Sequence, residues 1–300
     1  MLDVLTGFAI IFTVIAAGWW LAQKKVIGPG EQRLQLNRIA FHVATPALIF
    51  SSVAVSDTDA FFSPVILVIA IATVTTMLIY WAISAVWFKQ DAAETMAGAA
   101  SSSYYNSVNI GLPIATYVLG DPTYVIPALV LQMAVLSPIV IAGLDRGASG
   151  VLQSVIAGLK APVVVAAFAG FAVSASSWTV PEPVLAPLQI LGGASIPMIL
   201  MSFGASLTGE KVLQSQRLAT TTATALKLIG MPAVAWGVAS ILGLTGSDMY
   251  AALILCALPT AQNVYNYAAT YRSGEVICRD TVFLTTFLSL PAMLLIAGVF

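Results

Sequence analysis

The chain has 300 residues, of which 59% are apolar and 8% charged, with a mean hydropathy of +0.94. Soluble domains carry about 25% charged residues, so this composition excludes a soluble globular protein and implies an integral membrane protein. Twelve Lys and Arg against thirteen Asp and Glu leave a net charge of −1 with no basic stripe for nucleic acid, and one His with two Cys builds no zinc or iron–sulfur site.

A helix crosses the bilayer core with roughly 20 apolar residues. Ten such runs fill the chain, at 2–21, 36–55, 61–88, 94–119, 123–143, 159–177, 184–207, 217–243, 248–271 and 280–300. The first is too long for a signal-peptide core and has no basic leading segment, so it is expected to be a retained span. The fold class is an all-α integral membrane protein. Connectors are short, so function is expected inside the helical bundle. Cys256 lies in an apolar run and Cys278 in a polar connector, which reads as one buried thiol and one free loop thiol.

Basic residues are retained in cytoplasmic loops. The odd connectors or their edges hold Lys24, Lys25, Arg33, Arg38, Lys89, Arg146, Lys160, Lys211, Arg217, Arg272 and Arg279, whereas the even connectors carry only acids: Asp57, Asp59, Asp121, Glu182 and Asp248. Both termini are therefore expected outside the cytoplasm. Lys227, inside span eight, is the exception.

The two halves resemble each other. LSPIVIAG at Leu136–Gly143 returns with insertions as LSLPAMLLIAG at Leu288–Gly298, Pro46 pairs with Pro197, and Pro113 with Pro259, each half a chain apart. An odd number of spans per half reverses the second copy, giving the inverted repeat of secondary transporters. The expected boundaries are 1–143 for the first repeat, 144–158 for a cytoplasmic connector and 159–300 for the second.

Spans four and nine carry polar residues at midplane depth. Span four has Asn106, Asn109, Gly111 and Pro113 near its centre, and span nine has Pro259, Thr260, Gln262 and Asn263. Proline removes an amide and crowds the preceding turn, so both helices are expected to break, near Pro113 and Pro259, and to meet antiparallel. Each second half then starts inside the membrane with free amides and a positive dipole end, a design suited to a carboxylate. Kinks with interhelical hydrogen bonds are the alternative.

Lys227 has two readings, an anchor that snorkels to the cytoplasmic mouth and a counter-ion for an anionic substrate. His42, one turn before Pro46, is either a proton carrier or a hydrogen-bonded core residue. Tyr104, Tyr105, Tyr265 and Tyr267 flank the breaks and either bound the substrate or simply pack. All acids fall in or beside connectors, so no carboxylate relay is expected within the membrane. An intramembrane enzyme is disfavoured, because Ser101, Ser102 and Ser103 precede no base and no G-x-S-x-G or H-E-x-x-H motif is present. A passive channel or receptor stays open.

Five motifs resemble the auxin efflux carrier family, which includes bacterial malate and malonate carriers. They are LNRIAFHVATPALIF at Leu36–Phe50, NSVNIGLP at Asn106–Pro113, LKAP at Leu159–Pro162, IPMILMSFGASL at Ile196–Leu207 and LPTAQNVYNYA at Leu258–Ala268. The resemblance implies two inverted five-helix repeats, with spans one, two, six and seven as scaffold and spans three to five and eight to ten as a moving core of elevator type. It also implies crossovers in spans four and nine around the substrate, with Asn106 and Asn263 at matching positions, and a homodimer. Val108 and Asn109 depart from the family's usual small and aromatic residues. The implied protein is a secondary carrier of small organic anions in the plasma membrane, without cofactor or metal. The coupling ion is left as proton or sodium, because the sodium–bile acid symporters look similar in architecture.

Overall fold

The structure is a computed structural model that describes residues 2–28, 31–55, 63–144, 156, 159–160, 162–176, 178–206 and 213–299. Met1, Asp57, Asp59, Arg146, Lys211 and Phe300 lie outside the described residues, as does the expected connector 144–158 apart from Leu144 and Ile156. The side chain of Arg33 is likewise outside them.

The described residues are helical, as hydrocarbon demands of a chain that must satisfy its own backbone polar groups. Among them, Pro64–Phe88, Glu182–Ala205, Arg217–Ile241 and Glu275–Val299 are long and apolar enough to cross a membrane, by length and composition. Shorter apolar helices cover Ala9–Gln23, Ala40–Val53, Pro122–Leu131, Pro162–Ala175 and Gly246–Cys256. The expected spans 94–119 and 248–271 are each interrupted.

The last helix starts at Glu275, ahead of its apolar run, with that carboxylate in the first turn at the positive end of the helix. Two expectations change as a result. Cys278 is a buried helical residue whose sulfur lies 3.3 Å from Ser101 Oγ, not a loop thiol. Asp280 is buried inside the helix rather than at its start, and accepts from the Leu213 amide and from Arg279 Nε, each at 2.8 Å.

Pro187 and Pro291 sit inside α-helices without any π turn before them, whereas four other prolines inside the expected spans are accommodated differently. Each follows a π turn that ends two residues before it: Ala40–Ala44 before Pro46, Ser107–Gly111 before Pro113, Gln132–Leu136 before Pro138 and Leu226–Gly230 before Pro232. A proline ring crowds the carbonyl four residues back, and the wider i→i+5 turn relieves that contact. Pro113 therefore does not break span four, contrary to the sequence expectation. The interruption lies upstream, at Tyr104–Asn106.

The chain forms two compact units, and each draws segments from both halves of the sequence. One contains the described residues of Met1–Phe62, Val108–Val130 and Leu159–Glu210. In it α1 (Leu2–Gln23) packs against the helix Ser195–Ser206 so closely that a Cβ on Gly18 would lie 2.1 Å from the Met201 carbonyl oxygen, and one on Gly204 2.0 Å from that of Ile15. Thr45 and Ser195 share a buried hydroxyl hydrogen bond of 2.7 Å.

The other unit contains the described residues of Ser63–Ser107, Leu131–Gly158 and Lys211–Phe300. Pro64–Ile83 is capped by Ser63, whose side chain accepts the Val65 amide at 3.3 Å, and it packs against Ala92–Ser103. Gly98 sits under the ring of Tyr80, where a Cβ would come within 2.1 Å of Cζ. Ser84, Gln90 and Thr95 form a polar cluster, with Ser84 Oγ 3.0 Å from Gln90 Oε1 and 2.8 Å from Thr95 Oγ1.

Candidate functional site

Both interruptions have local causes. Ala92–Ser103 starts from Asp91, whose side chain accepts the Glu94 amide at 2.8 Å. It ends at Ser101, Ser102 and Ser103, whose hydroxyls donate to the carbonyls of Ala97, Ala99 and Ala99 at 2.7, 2.8 and 2.8 Å. Such back-bonding weakens a helix, and Tyr104 turns extended, with φ −80° and ψ 106°. In span nine, Gly246–Cys256 stops three residues before Pro259, and the helix resumes at Gln262.

The two extended stretches pair with each other. The Asn106 amide donates to the Pro259 carbonyl at 2.8 Å, and the Ala261 amide donates to the Tyr104 carbonyl at 3.0 Å. Tyr105 and Thr260 thus form an isolated antiparallel bridge. Thr260 adds two further bonds: its amide donates to Thr285 Oγ1 at 3.0 Å and its hydroxyl to the Ser101 carbonyl at 2.6 Å.

Span five supports the first break. Gln132 Nε2 donates to the Tyr105 carbonyl, and Gln132 Oε1 accepts from the Ser107 hydroxyl. Ser137 Oγ meets Tyr104 Oη at 2.5 Å and accepts from Tyr267 Oη at 3.2 Å, while the two tyrosine rings lie edge to face with centroids 6.5 Å apart. Sequence reasoning missed Gln132, Ser137 and Thr285. Their one visible signal was polarity inside otherwise apolar spans.

Asn106, Pro259 and Thr260 are buried at the pairing, and Gln262 and Asn263 are half-buried in the first turn of Gln262–Tyr271. Asn109, half-buried, and Gly111 and Pro113, both buried, follow along the helical run into the other unit. Lys227 is fully buried, and its Nζ donates to the Cys256 carbonyl at 2.7 Å and lies 3.2 Å from Met231 Sδ. It is not a snorkelling anchor at a helix mouth, because its stem turns toward the end of the first half of span nine. His42 is exposed, not a core residue; its Nδ1 lies 2.9 Å from the Arg38 carbonyl and its ring stands edge-on to Phe41 at 5.2 Å. A cleft of about 490 Å³ in the same unit as Lys227 is lined by Glu94, Ser215, Gln216, Arg272, Gly274 and Glu275, and none of the expected site residues is among those lining it.

The family described as Membrane transport protein matches the chain over residues 3–152 and 149–297. The "Uncharacterized transporter" of Methanothermobacter thermautotrophicus is 23% identical over 301 residues, covering 94% of this chain and 94% of its own length. The "Putative malonate transporter" of Rhizobium meliloti (strain 1021) is 24% identical over 300 residues, covering 96% of this chain and 93% of its own length. Matched along nearly its whole length, the chain belongs to this membrane transport family, that of the auxin efflux carriers, and is a multi-pass membrane transporter rather than an enzyme.

Proposed function

We propose that the chain is a secondary carrier of small organic anions that binds its substrate at the crossing of the two interrupted helices. The observation that carries this reading is the reciprocal pairing of Asn106 with Pro259 and of Ala261 with Tyr104. Such a crossing brings two helix starts, at Ser107 and Gln262, to one place. Helix starts present free amides and positive dipole ends, which favour an oxyanion. Lys227 adds a buried amino group to the same unit. The relative named for malonate supports a short dicarboxylate.

In this reading Asn106, Thr260, Gln262 and Asn263 contact the substrate. The cycle is alternating access of the elevator type, built on two inverted repeats with spans one, two, six and seven as scaffold, driven by a proton or a sodium ion. The carrier is a homodimer in the plasma membrane with both termini outside.

Reconstitution into liposomes tests the proposal. Labelled malonate should enter saturably, be accelerated by unlabelled malonate on the opposite side, and be inhibited by malonate and malate but not by their diamides. Equal inhibition by acids and amides overturns the anion site. Flux that neither saturates nor shows counterflow indicates a channel, and absence of flux a receptor.

A further inference from the structure

The break in span four exposes backbone groups on both sides of Asn106, and one side chain from another span meets both sides. Gln132 is 2% exposed. Its Nε2 holds the carbonyl of Tyr105, the residue before Asn106, and its Oε1 holds the hydroxyl of Ser107, the residue after it. The Tyr105 carbonyl fixes the orientation, because it can only accept and the flipped amide would set oxygen against oxygen there.

The element carrying Gln132 is built for this contact. Gln132–Leu136 is a π turn closed by the Ser137 amide donating to the Gln132 carbonyl. An i→i+5 turn brings residues five apart onto one face, which an α-helix does not do. Gln132 and Ser137 therefore face the break together. Ser137 meets the Tyr104 hydroxyl while Gln132 meets Tyr105 and Ser107. Tyr104, Tyr105 and Ser107 are thus held from span five, and Asn106 between them has its amide on Pro259.

We propose that Gln132 is a positioning residue for substrate recognition: by clamping Tyr105 and Ser107 through the span-five π turn, it sets how Asn106 is presented to the anion. This rests on the reading that the substrate binds at the crossing. Both polar atoms of Gln132 are engaged by Tyr105 and Ser107, so it acts on affinity through Asn106.

The test combines amide hydrogen exchange with malonate counterflow, using the full chain in lipid nanodiscs and in liposomes. Gln132→Met keeps length and removes both hydrogen bonds, and Ser107→Ala removes one arm with a minimal change of volume. In Gln132→Met, exchange in the peptide containing Tyr104–Ser107 should rise at least tenfold while peptides from Pro64–Ile83 stay unchanged. The KM for malonate should rise at least fivefold with the maximal rate within twofold. Ser107→Ala should give smaller changes of the same kind.

Unchanged exchange and unchanged KM overturn the proposal, and so does an equal rise in exchange throughout the unit with a lower maximal rate at constant KM, the pattern of a merely structural residue. If Gln132→Met cannot be purified, Ser107→Ala decides, and wild-type KM and exchange in it overturn the clamp. A wild type that exchanges no organic anion instead overturns the carrier reading itself. A transporting wild type with an unaffected Gln132→Met overturns only the role of Gln132.

Discussion

Lys227 donates from Nζ to the backbone carbonyl of Cys256 at 2.7 Å, and Cys256 is the last residue of the helix that stops at the crossing. A cation there meets the negative end of the helix dipole and supplies a donor to a carbonyl that the interruption leaves without an intrahelical amide. A charge at such depth costs roughly 3 kcal/mol on insertion scales, and the end-capping contact offsets part of that cost.

Replacing Lys227 by Gln retains a donor and removes the charge. Affinity for malonate should fall about tenfold, equivalent to roughly 1.4 kcal/mol, while malonamide stays without effect. Competition in the counterflow assay measures both. Unchanged acid affinity would confine Lys227 to holding the helix end.

Asn106→Ala and Asn263→Ala should abolish malonate counterflow while the protein inserts and purifies as wild type. Interhelical hydrogen bonds in membranes average well under 2 kcal/mol, too little to unfold the bundle. Loss of folded protein with normal specific activity in the remainder would assign both side chains to structure.

Much of this was legible in the sequence because bilayer thickness converts apolar run length directly into helices. Pro259 marked its break correctly, since proline removes an amide donor and crowds the preceding turn. Pro113 misled for the same reason in reverse: a π turn, which no composition rule announces, absorbs it, and the serine triplet moves the break to Tyr104–Asn106. Lys227 was visible as an anomaly, but its partner is a main-chain carbonyl 29 residues away, and carbonyls carry no sequence signature. Gln132 was missed because a lone amide in an apolar span has meaning only once the facing backbone is known to be broken.

The distribution of basic residues predicts the topology. Tags placed before Met1 and after Phe300 should both react with an impermeant reagent applied to intact cells. A cysteine introduced next to Lys89 or Arg272, each at a left-handed turn that follows a helix, should react only after permeabilisation. Tags on opposite sides would show that the number of spans is not even.

Gly204 and Gly18 allow α1 and Ser195–Ser206 to touch through their backbones, with imaginary Cβ atoms 2.0 and 2.1 Å from the carbonyl oxygens of Ile15 and Met201. Lipid tails are as apolar as leucine, so helices in a bilayer associate through close packing of small residues rather than through a hydrophobic drive. The obstructing atoms are main-chain, and no rotamer change clears them. Gly204→Ala must therefore part the two helices, at a cost of about 1–3 kcal/mol for overpacking. Thermal unfolding in detergent should show a clearly lowered midpoint. Gly237→Ala is the control: nothing lies within 4 Å of a Cβ there, and Ala in a helix interior is favoured over Gly by roughly 0.5–1 kcal/mol, so its midpoint should be unchanged or slightly raised. The fraction of Gly204→Ala that remains folded should keep the wild-type KM for malonate, since the expected substrate contacts lie elsewhere. Equal midpoints for the two variants would refute the close helix contact.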